Sequence, residues 1–120
     1  MRIFIVENHQ DTLKYLRMYL EALGHSVITA ETKSEALAAI PSADCDMFIC
    51  DIGLPDGNGW DLLKDASFSR PVYAIAISGF GTMNDRHRSA EAGYRQHIVK
   101  PFGGGDLAPF IEEAARELAA

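Results

Sequence analysis

Length, composition and charge exclude several classes of protein before any motif is considered. The chain has 120 residues, 48% of them hydrophobic and 23% charged, which is typical of one soluble globular domain and not of a disordered or collagen-like chain. Its formal charge is −6 and its Lys and Arg residues form no basic stripe, so we expect no direct nucleic-acid binding. No apolar run reaches the roughly 18 residues of a membrane span, and no signal-peptide pattern is present. These features predict a cytoplasmic protein without a membrane partner.

Short apolar runs and helical periodicity predict ten alternating elements. In chain order these are a strand at 2–6, a helix at 13–23, a strand at 26–29, a helix at 34–40, a strand at 47–50, a helix at 60–64, a strand at 72–77, a helix at 83–92, a strand at 94–99 and a helix at 106–118. Gly24 and Gly93 follow helices where a left-handed cap is favoured, and Pro41 is expected to end the second helix.

The alternation of five strands with five helices predicts an α/β fold. Right-handed crossovers between successive strands give a (βα)5 doubly wound, five-stranded parallel sheet with helices on both faces. No linker, repeat or low-complexity tract interrupts the pattern. We therefore expect residues 1–120 to form a single domain with no output module.

Polar residues follow four of the predicted strands. Glu7 and Asn8 come after the first strand, Asp51 after the third, Ser78 after the fourth and Lys100 after the fifth. In doubly wound sheets the functional site lies at this carboxyl edge. Carboxylate and amide oxygens suit Mg²⁺, and a lysine can neutralise phosphoryl oxygens. The set therefore indicates phosphoryl transfer, a reaction that depends mainly on positioning and charge.

Four short motifs in chain order resemble those of the response-regulator receiver domains of two-component phosphorelays. They are the acidic end of the first strand, D-I-G-L-P-D-G-N-G at 51–59, I-S-G at 77–79 and V-K-P-F at 99–102. The likeness spans the whole chain, and the chemotaxis regulator is the simplest member of that family. The resemblance implies the flavodoxin-like receiver topology. It also implies a signalling switch that catalyses only its own phosphorylation and dephosphorylation, and is not an enzyme acting on other substrates.

The resemblance gives each strand-end residue an expected role. Asp51 is the expected phosphoacceptor, and Ser78 is the expected switch residue, whose hydroxyl reaches for the bound phosphoryl group. Lys100 corresponds to the family's lysine, which supplies positive charge to the phosphoryl oxygens. The family's Mg²⁺ shell corresponds here to the side chains of Glu7 and Asp51 and to the backbone carbonyl of Gly53. A cis peptide bond is expected before Pro101, since X-Pro bonds lose most of their trans preference.

The family also implies partners. A histidine kinase or histidine phosphotransfer protein is expected to dock on the first helix and on the loop after the fifth strand. The candidate docking residues are Thr12, Tyr15, Pro101 and Phe102. The fourth helix, fifth strand and fifth helix offer a surface for a homodimer.

Two positions depart from the family pattern. Asn8 stands where most members have a second acid; its amide oxygen can still serve as a metal ligand, but one negative charge is missing, and it could equally be a helix cap. His97 stands where an aromatic residue usually swings inward on activation. Imidazole is planar enough to swing, yet it is polar and titrates near neutrality. His97 is therefore either a modified switch or a polar contact on the surface.

Three other functions compete with this interpretation. An aspartyl-phosphate phosphatase also uses a strand-end Asp, but it carries a second Asp where this chain has Gly53. A flavodoxin-like cofactor binder needs Ser, Thr and Gly after its first strand, and Glu7 would repel the phosphate. A degenerate receiver that works as a phosphorylation-independent interaction module is suggested by Asn8 and His97.

Overall fold

The computed structural model describes residues 1–79 and 81–120. Its main sheet consists of β1 (Arg2–Val6), β2 (Ser26–Ala30), β3 (Met47–Asp51), β6 (Tyr73–Ser78) and β7 (Gln96–Val99). The two-residue strands β4 (Gly53–Leu54) and β5 (Gly57–Asn58) form a small antiparallel hairpin after β3. The helices are α1 (Gln10–Ala22), α2 (Lys33–Ala43), α3 (Gly59–Asp65), α4 (Met83–Ala92) and α5 (Gly104–Ala119). Within the described ranges, no helix combines the length and apolarity needed to cross a membrane.

The strand order confirms the predicted doubly wound class. The five strands are parallel and lie in the order β2-β1-β3-β6-β7. The chain moves outward from β1 to β2 and then returns to place β3 on the other side of β1. The order therefore reverses between β1 and β3, and a crevice forms at the carboxyl ends of these two strands. Val6 pairs in register with Cys50, so the residues that follow, Glu7 and Asp51, lie side by side.

Apolar side chains on the two faces of the sheet form two separate cores. The core under α1 and α5 contains every second residue of the strands, such as Ile5, Ile49 and Ile75. The core under α2, α3 and α4 contains the strand residues that alternate with these. Cys50 is fully buried in the second core and Cys45 is also buried there, both as free thiols. Both faces of the central strands are thus covered, which explains their continuous apolar sequence.

Several element bounds differ from those predicted. The prediction that Pro41 ends α2 is wrong, because the helix continues to Ala43 and is capped by Asp44 in the left-handed conformation at φ 52°. Only the last turn follows Pro41, so the helix loses little backbone hydrogen bonding there. Asp51 and Ser78 are the last residues of their strands and were expected just beyond them. Gly24 and Gly93 have φ values of 90° and 114°, in agreement with the predicted helix ends.

Candidate functional site

Two acidic side chains lie buried at the carboxyl edge of the sheet. Glu7 is fully buried and Asp51 is 7% exposed. The backbone of Glu7 is held in place because its N–H donates to the carbonyl of Ala30 at 3.0 Å, which extends the pairing of β1 with β2 by one residue. Burial of two carboxylates side by side is costly unless a cation compensates them.

Lys100 supplies that compensation. Its Nζ lies 2.5 Å from Glu7 Oε1 and 2.8 Å from Asp51 Oδ2, and it donates a hydrogen bond to each. The lysine is placed by the backbone, since its N–H donates to the carbonyl of Ser78 at 2.8 Å and extends the pairing of β6 with β7. Three residues that are 49 and 93 positions apart along the chain thus form one ionic group. The group contains two carboxyl side chains, Glu7 and Asp51, and one lysine, Lys100.

Burial raises the pKa of the Glu7 carboxyl to about 8, and its hydrogen bond with Asp51 adds to the effect. Burial by itself would also raise the pKa of Asp51. Hydrogen bonds from Glu7, Lys100 and the Gly53 N–H outweigh it, however, and the pKa of Asp51 is lowered. The two carboxyls titrate as a pair. Of the two carboxyls, Asp51 is therefore the one that ionises more readily.

One oxygen of the acidic pair has no protein donor. Glu7 Oε2 is buried without a hydrogen-bond partner among the described residues, whereas Asp51 Oδ1 accepts the Gly53 N–H at 2.9 Å. A buried oxygen of this kind needs a proton or a cation. The donor set therefore fits a hard divalent cation beside Glu7 and Asp51.

Asn8 is exposed and directly follows the buried Glu7. It does not cap α1: the cap is His9, whose ring accepts the Thr12 N–H at 3.3 Å. Across residues 1–79 and 81–120, no three His, Cys, Asp or Glu side chains gather in an arrangement that could hold a metal ion. A metal at this edge would therefore draw on amide and backbone oxygens as well as on carboxylates.

Gly59 is a site residue that the sequence did not single out. It begins α3, and a Cβ built on it would lie 2.7 Å from the backbone oxygen of Asp51. The carbonyl of Gly59 also accepts a hydrogen bond from the buried hydroxyl of Tyr94 at 2.7 Å. Only a glycine lets the start of α3 approach the backbone of Asp51 so closely. The signal was present in the spaced glycines of the 51–59 motif.

The other predicted site residues surround this group. Ser78 is 3% exposed at the end of β6, in register with Val99, which immediately precedes Lys100. The peptide bond between Lys100 and Pro101 is cis. Ser78 and Lys100 therefore lie at the same edge of the sheet as Asp51.

His97 lies in β7 and belongs to a hydrogen-bonded chain that the sequence did not indicate. Its Nδ1 is 2.8 Å from the hydroxyl of Ser89 on α4, and the same hydroxyl accepts the indole N–H of Trp60 at 2.9 Å. Ser89 is 1% exposed. The guanidinium of Arg88 covers the Trp60 ring at 3.8 Å. One buried serine thus connects α3, α4 and β7.

The candidate docking residues come together in one groove. A groove of about 320 Å³ is lined by Thr12, Tyr15, Pro101 and Phe102, with Asp11 and Lys100. Tyr15 is 44% exposed, and its hydroxyl accepts the N–H of Gly104 at 2.6 Å. A Cβ on Gly104 would lie 2.5 Å from the Tyr19 ring. The first turn of α5 therefore packs directly on the tyrosines of α1.

Comparisons with known proteins agree with this geometry. The model of the response regulator receiver domain family matches residues 3–112. The KDP operon transcriptional regulatory protein KdpE of Escherichia coli is 33% identical over 114 residues, which cover 95% of this chain and 51% of KdpE. A receiver domain protein (CheY-like) from Methanospirillum hungatei is 33% identical with a TM-score of 0.88, covering 97% of this chain and 94% of that one. A two-component response regulator from Clostridium difficile has a TM-score of 0.94 at 22% identity and covers 100% and 99% of the two chains, which supports the fold alone.

The chain spans about half the length of the curated relatives that it matches. The family match nevertheless covers most of the 120 residues and includes all four strand ends at the site. The chain therefore belongs to the response regulator receiver domain family of two-component signalling.

Proposed function

We propose that Asp51 accepts a phosphoryl group from the phosphohistidine of a histidine kinase or phosphotransfer protein. An oxygen of Asp51 attacks phosphorus, the P–N bond breaks and the imidazole leaves. The observation that carries the proposal is the buried group of Glu7, Lys100 and Asp51, in which Lys100 contacts both acids. Phosphoryl transfer needs little beyond a positioned nucleophile and fixed positive charge, and this group supplies both.

We propose Mg²⁺ as the cofactor at the same edge. The carboxylates of Glu7 and Asp51, the carbonyl of Gly53 and the amide oxygen of Asn8 would hold it, and the buried Glu7 Oε2 without a protein donor supports this. When bound, the ion neutralises charge on the phosphoryl oxygens. Lys100, which contacts both acids, would neutralise the remaining charge. The same residues would support hydrolysis of the acyl phosphate by water, so the chain would catalyse both steps on itself.

Ser78 and His97 are the proposed switch residues. Ser78 is buried at the strand end next to the site, where its hydroxyl can move to a phosphoryl oxygen. His97 is hydrogen-bonded to the buried Ser89, so a change in its side-chain orientation on activation would have to break that contact. We therefore expect the resting state of α4 and β7 to be held more firmly than in members with an aromatic residue at this position.

The partner is expected to dock in the groove formed by Thr12, Tyr15, Pro101 and Phe102, which lies beside Lys100. A homodimer would use α4, β7 and α5. Relatives named as transcriptional regulators are about twice as long as this chain. We expect these 120 residues, with a charge of −6, to act in the cytoplasm without contacting nucleic acid themselves.

A phosphorylation-independent interaction module is the alternative function. It is favoured by Asn8, which leaves the site one acid short of the family pattern. It is opposed by the presence of Asp51, Ser78 and Lys100 together, and by the contact at 2.8 Å that places the lysine cation beside the expected phosphoacceptor.

Incubation with acetyl phosphate and Mg²⁺ tests the proposal. We expect one phosphoryl group per chain, seen as a mass shift that maps to Asp51 and is absent in Asp51→Asn. Asp65→Asn, which changes an exposed acid on α3, is the matched control and should label normally. Label that persists in Asp51→Asn would contradict the assignment. A wild-type chain that takes no label from acetyl phosphate or from a kinase would favour the interaction module.

A further inference from the structure

The loop that follows the nucleophile is attached to a helix that is distant in sequence. The carboxylate of Asp56 accepts the N–H of Lys33 at 2.7 Å and the N–H of Ser34 at 2.9 Å. These are the first two residues of α2, whose N–H groups have no partner inside the helix. The N-cap Thr32 serves a different donor, the N–H of Glu35. Asp56 therefore completes a helix start that lies 22 and 23 residues earlier.

The side chain of Lys33 closes over the same loop. A Cβ on Gly57 would lie 2.8 Å from Lys33 Cδ, and Lys33 Nζ lies 3.2 Å from Asp65 Oδ2 on α3. The start of α2 thus contacts the loop through the Asp56 carboxylate and through an aliphatic stem. The hydrogen bonds hold the tip of the loop, and the lysine packs along its edge.

Asp56 lies in the turn of the β4–β5 hairpin, and that hairpin carries Gly53. Gly53 pairs with Asn58 across the hairpin, and its N–H donates to Asp51 Oδ1 at 2.9 Å. Asn58 in turn caps α3 by accepting the Asp61 N–H at 2.9 Å. The hairpin is therefore fixed to α3 at its end and to α2 at its turn.

We propose that Asp56 is a positioning residue for the phosphoacceptor site: by tying the hairpin to α2 it holds Gly53 against Asp51 and so sets Mg²⁺ affinity and phosphorylation rate. This inference rests on the proposed function. Asp56 lies in the loop, away from the acidic pair, and acts through Gly53. A two-residue hairpin has little stability of its own, so its geometry depends on external attachments.

An aspartate suits this position better than an asparagine does. A carboxylate offers an acceptor oxygen to each of the two N–H groups, whereas an amide offers one oxygen and one NH₂ that would face a donor. A negative charge is also favourable at a helix start. Consistent with this, the hydrogen bonds from Ser34 and Lys33 lower the pKa of Asp56.

Asp56→Asn tests the proposal, with Asp65→Asn as the control. Both remove one exposed negative charge near Lys33, but only the first weakens the attachment of the hairpin turn, because an amide can accept only one of the two N–H groups. We expect Asp56→Asn to weaken Mg²⁺ binding, measured by calorimetry, by roughly three- to tenfold, which corresponds to about 0.6 to 1.4 kcal/mol. Amide hydrogen exchange at Gly53 should become faster by a similar factor. Asp65→Asn should stay within about twofold of the wild type on both measurements.

The two proposals can fail separately. If Asp56→Asn lowers stability to urea but leaves Mg²⁺ affinity and Gly53 exchange unchanged, Asp56 is only a cap for α2 and the inference is overturned. Equal losses in both variants would also overturn it, since charge alone would then explain the effect. If the wild type takes no phosphoryl group, the proposed function fails, while the exchange and Mg²⁺ measurements still decide whether Asp56 positions Gly53.

Discussion

Each end of the β-sheet carries one basic side chain that contacts two acids, but the two groups differ in burial. At the carboxyl end, Glu7 is fully buried and Lys100 serves two acids. At the amino end, Arg70 pairs with Asp44 at 3.1 Å and with Asp46 at 2.9 Å; the Asp46 side chain is 8% exposed, but the Arg70 and Asp44 side chains are 37% and 65% exposed. Exposed pairs cost little and contribute little. The comparison teaches that the burial of both acids, and not the number of ion pairs, distinguishes the carboxyl end.

Removal of the lysine at the buried end should have the largest effect. Lys100→Met should slow phosphorylation of Asp51 by acetyl phosphate by roughly 100-fold, because a positioned cation at the phosphoryl oxygens is lost. Mg²⁺ should bind more tightly to the same variant, since the ammonium no longer competes for Glu7 and Asp51. Mass spectrometry and calorimetry measure the two effects. Lys64→Met, at an exposed lysine of α3, should change neither, and an unchanged rate in Lys100→Met would remove the basis of the comparison.

Ser89 is buried and uncharged, so its substitution tests whether a buried polar group contributes to stability without a charge. Ser89→Ala should lower the free energy of unfolding by about 2 kcal/mol, because Trp60 and His97 both lose their contact with the Ser89 hydroxyl. Urea unfolding followed by the fluorescence of Trp60 measures this change. Ser67→Ala, at an exposed position, is the control. A loss below about 0.5 kcal/mol would show that water replaces the serine in this chain of contacts.

Replacing Asn8 by an acid adds a negative charge at the carboxyl end of the sheet and tests how charge there affects Mg²⁺ binding. Asn8→Asp should strengthen Mg²⁺ binding by about tenfold, since a further carboxylate beside Glu7 attracts the dication. The metal-free variant should unfold more readily and recover with Mg²⁺, because the added charge repels its neighbours until the ion is bound. Calorimetry and urea unfolding with and without Mg²⁺ test both statements. Equal affinity in the two proteins would mean that Asn8 takes no part in the site.

The smallest effect is expected at the amino end. Asp44→Asn removes the charge that faces Arg70 but keeps a side chain that tolerates the left-handed conformation at φ 52°. We expect the free energy of unfolding to change by less than about 0.5 kcal/mol, and the difference to shrink further in high salt. A loss of several kcal/mol would show that exposed ion pairs in this chain are as important as the buried group.

The site was predictable where local pattern and topology agree. Glu7, Asp51 and Lys100 each follow a short apolar run, and parallel strands bring such ends to one edge. The sheet order could be inferred for the same reason, because alternating strands and helices permit few arrangements. The contacts that join these three side chains confirm the expected meeting of the strand ends, although their roles in catalysis stay predictions.

The rest depends on contacts that have no periodic signal. Nothing in the sequence around Asp56 indicates that its carboxylate contacts the start of a helix 22 residues earlier. The burial of Ser89 has no signal either, because a buried serine and an exposed one are indistinguishable in a helical pattern. His9 is the cap of α1, although serine, threonine, aspartate and asparagine are the usual residues there. Pro41 was expected to stop α2, but a local propensity was overridden by packing of Ala43 in the core.

The hydrogen bond between Tyr15 and Gly104 bears on how such a chain can acquire a new partner in evolution. Tyr15 lies in the proposed docking groove, yet its hydroxyl also accepts the Gly104 N–H at the start of α5. A substitution at Tyr15 that favours a different kinase therefore removes the oxygen that accepts the Gly104 N–H in the first turn of α5. A larger residue at Gly104 cannot compensate, because the Tyr19 ring occupies that space. We expect Tyr15, Tyr19 and Gly104 to change together among related chains, so that a change of partner at Tyr15 requires changes at the start of α5.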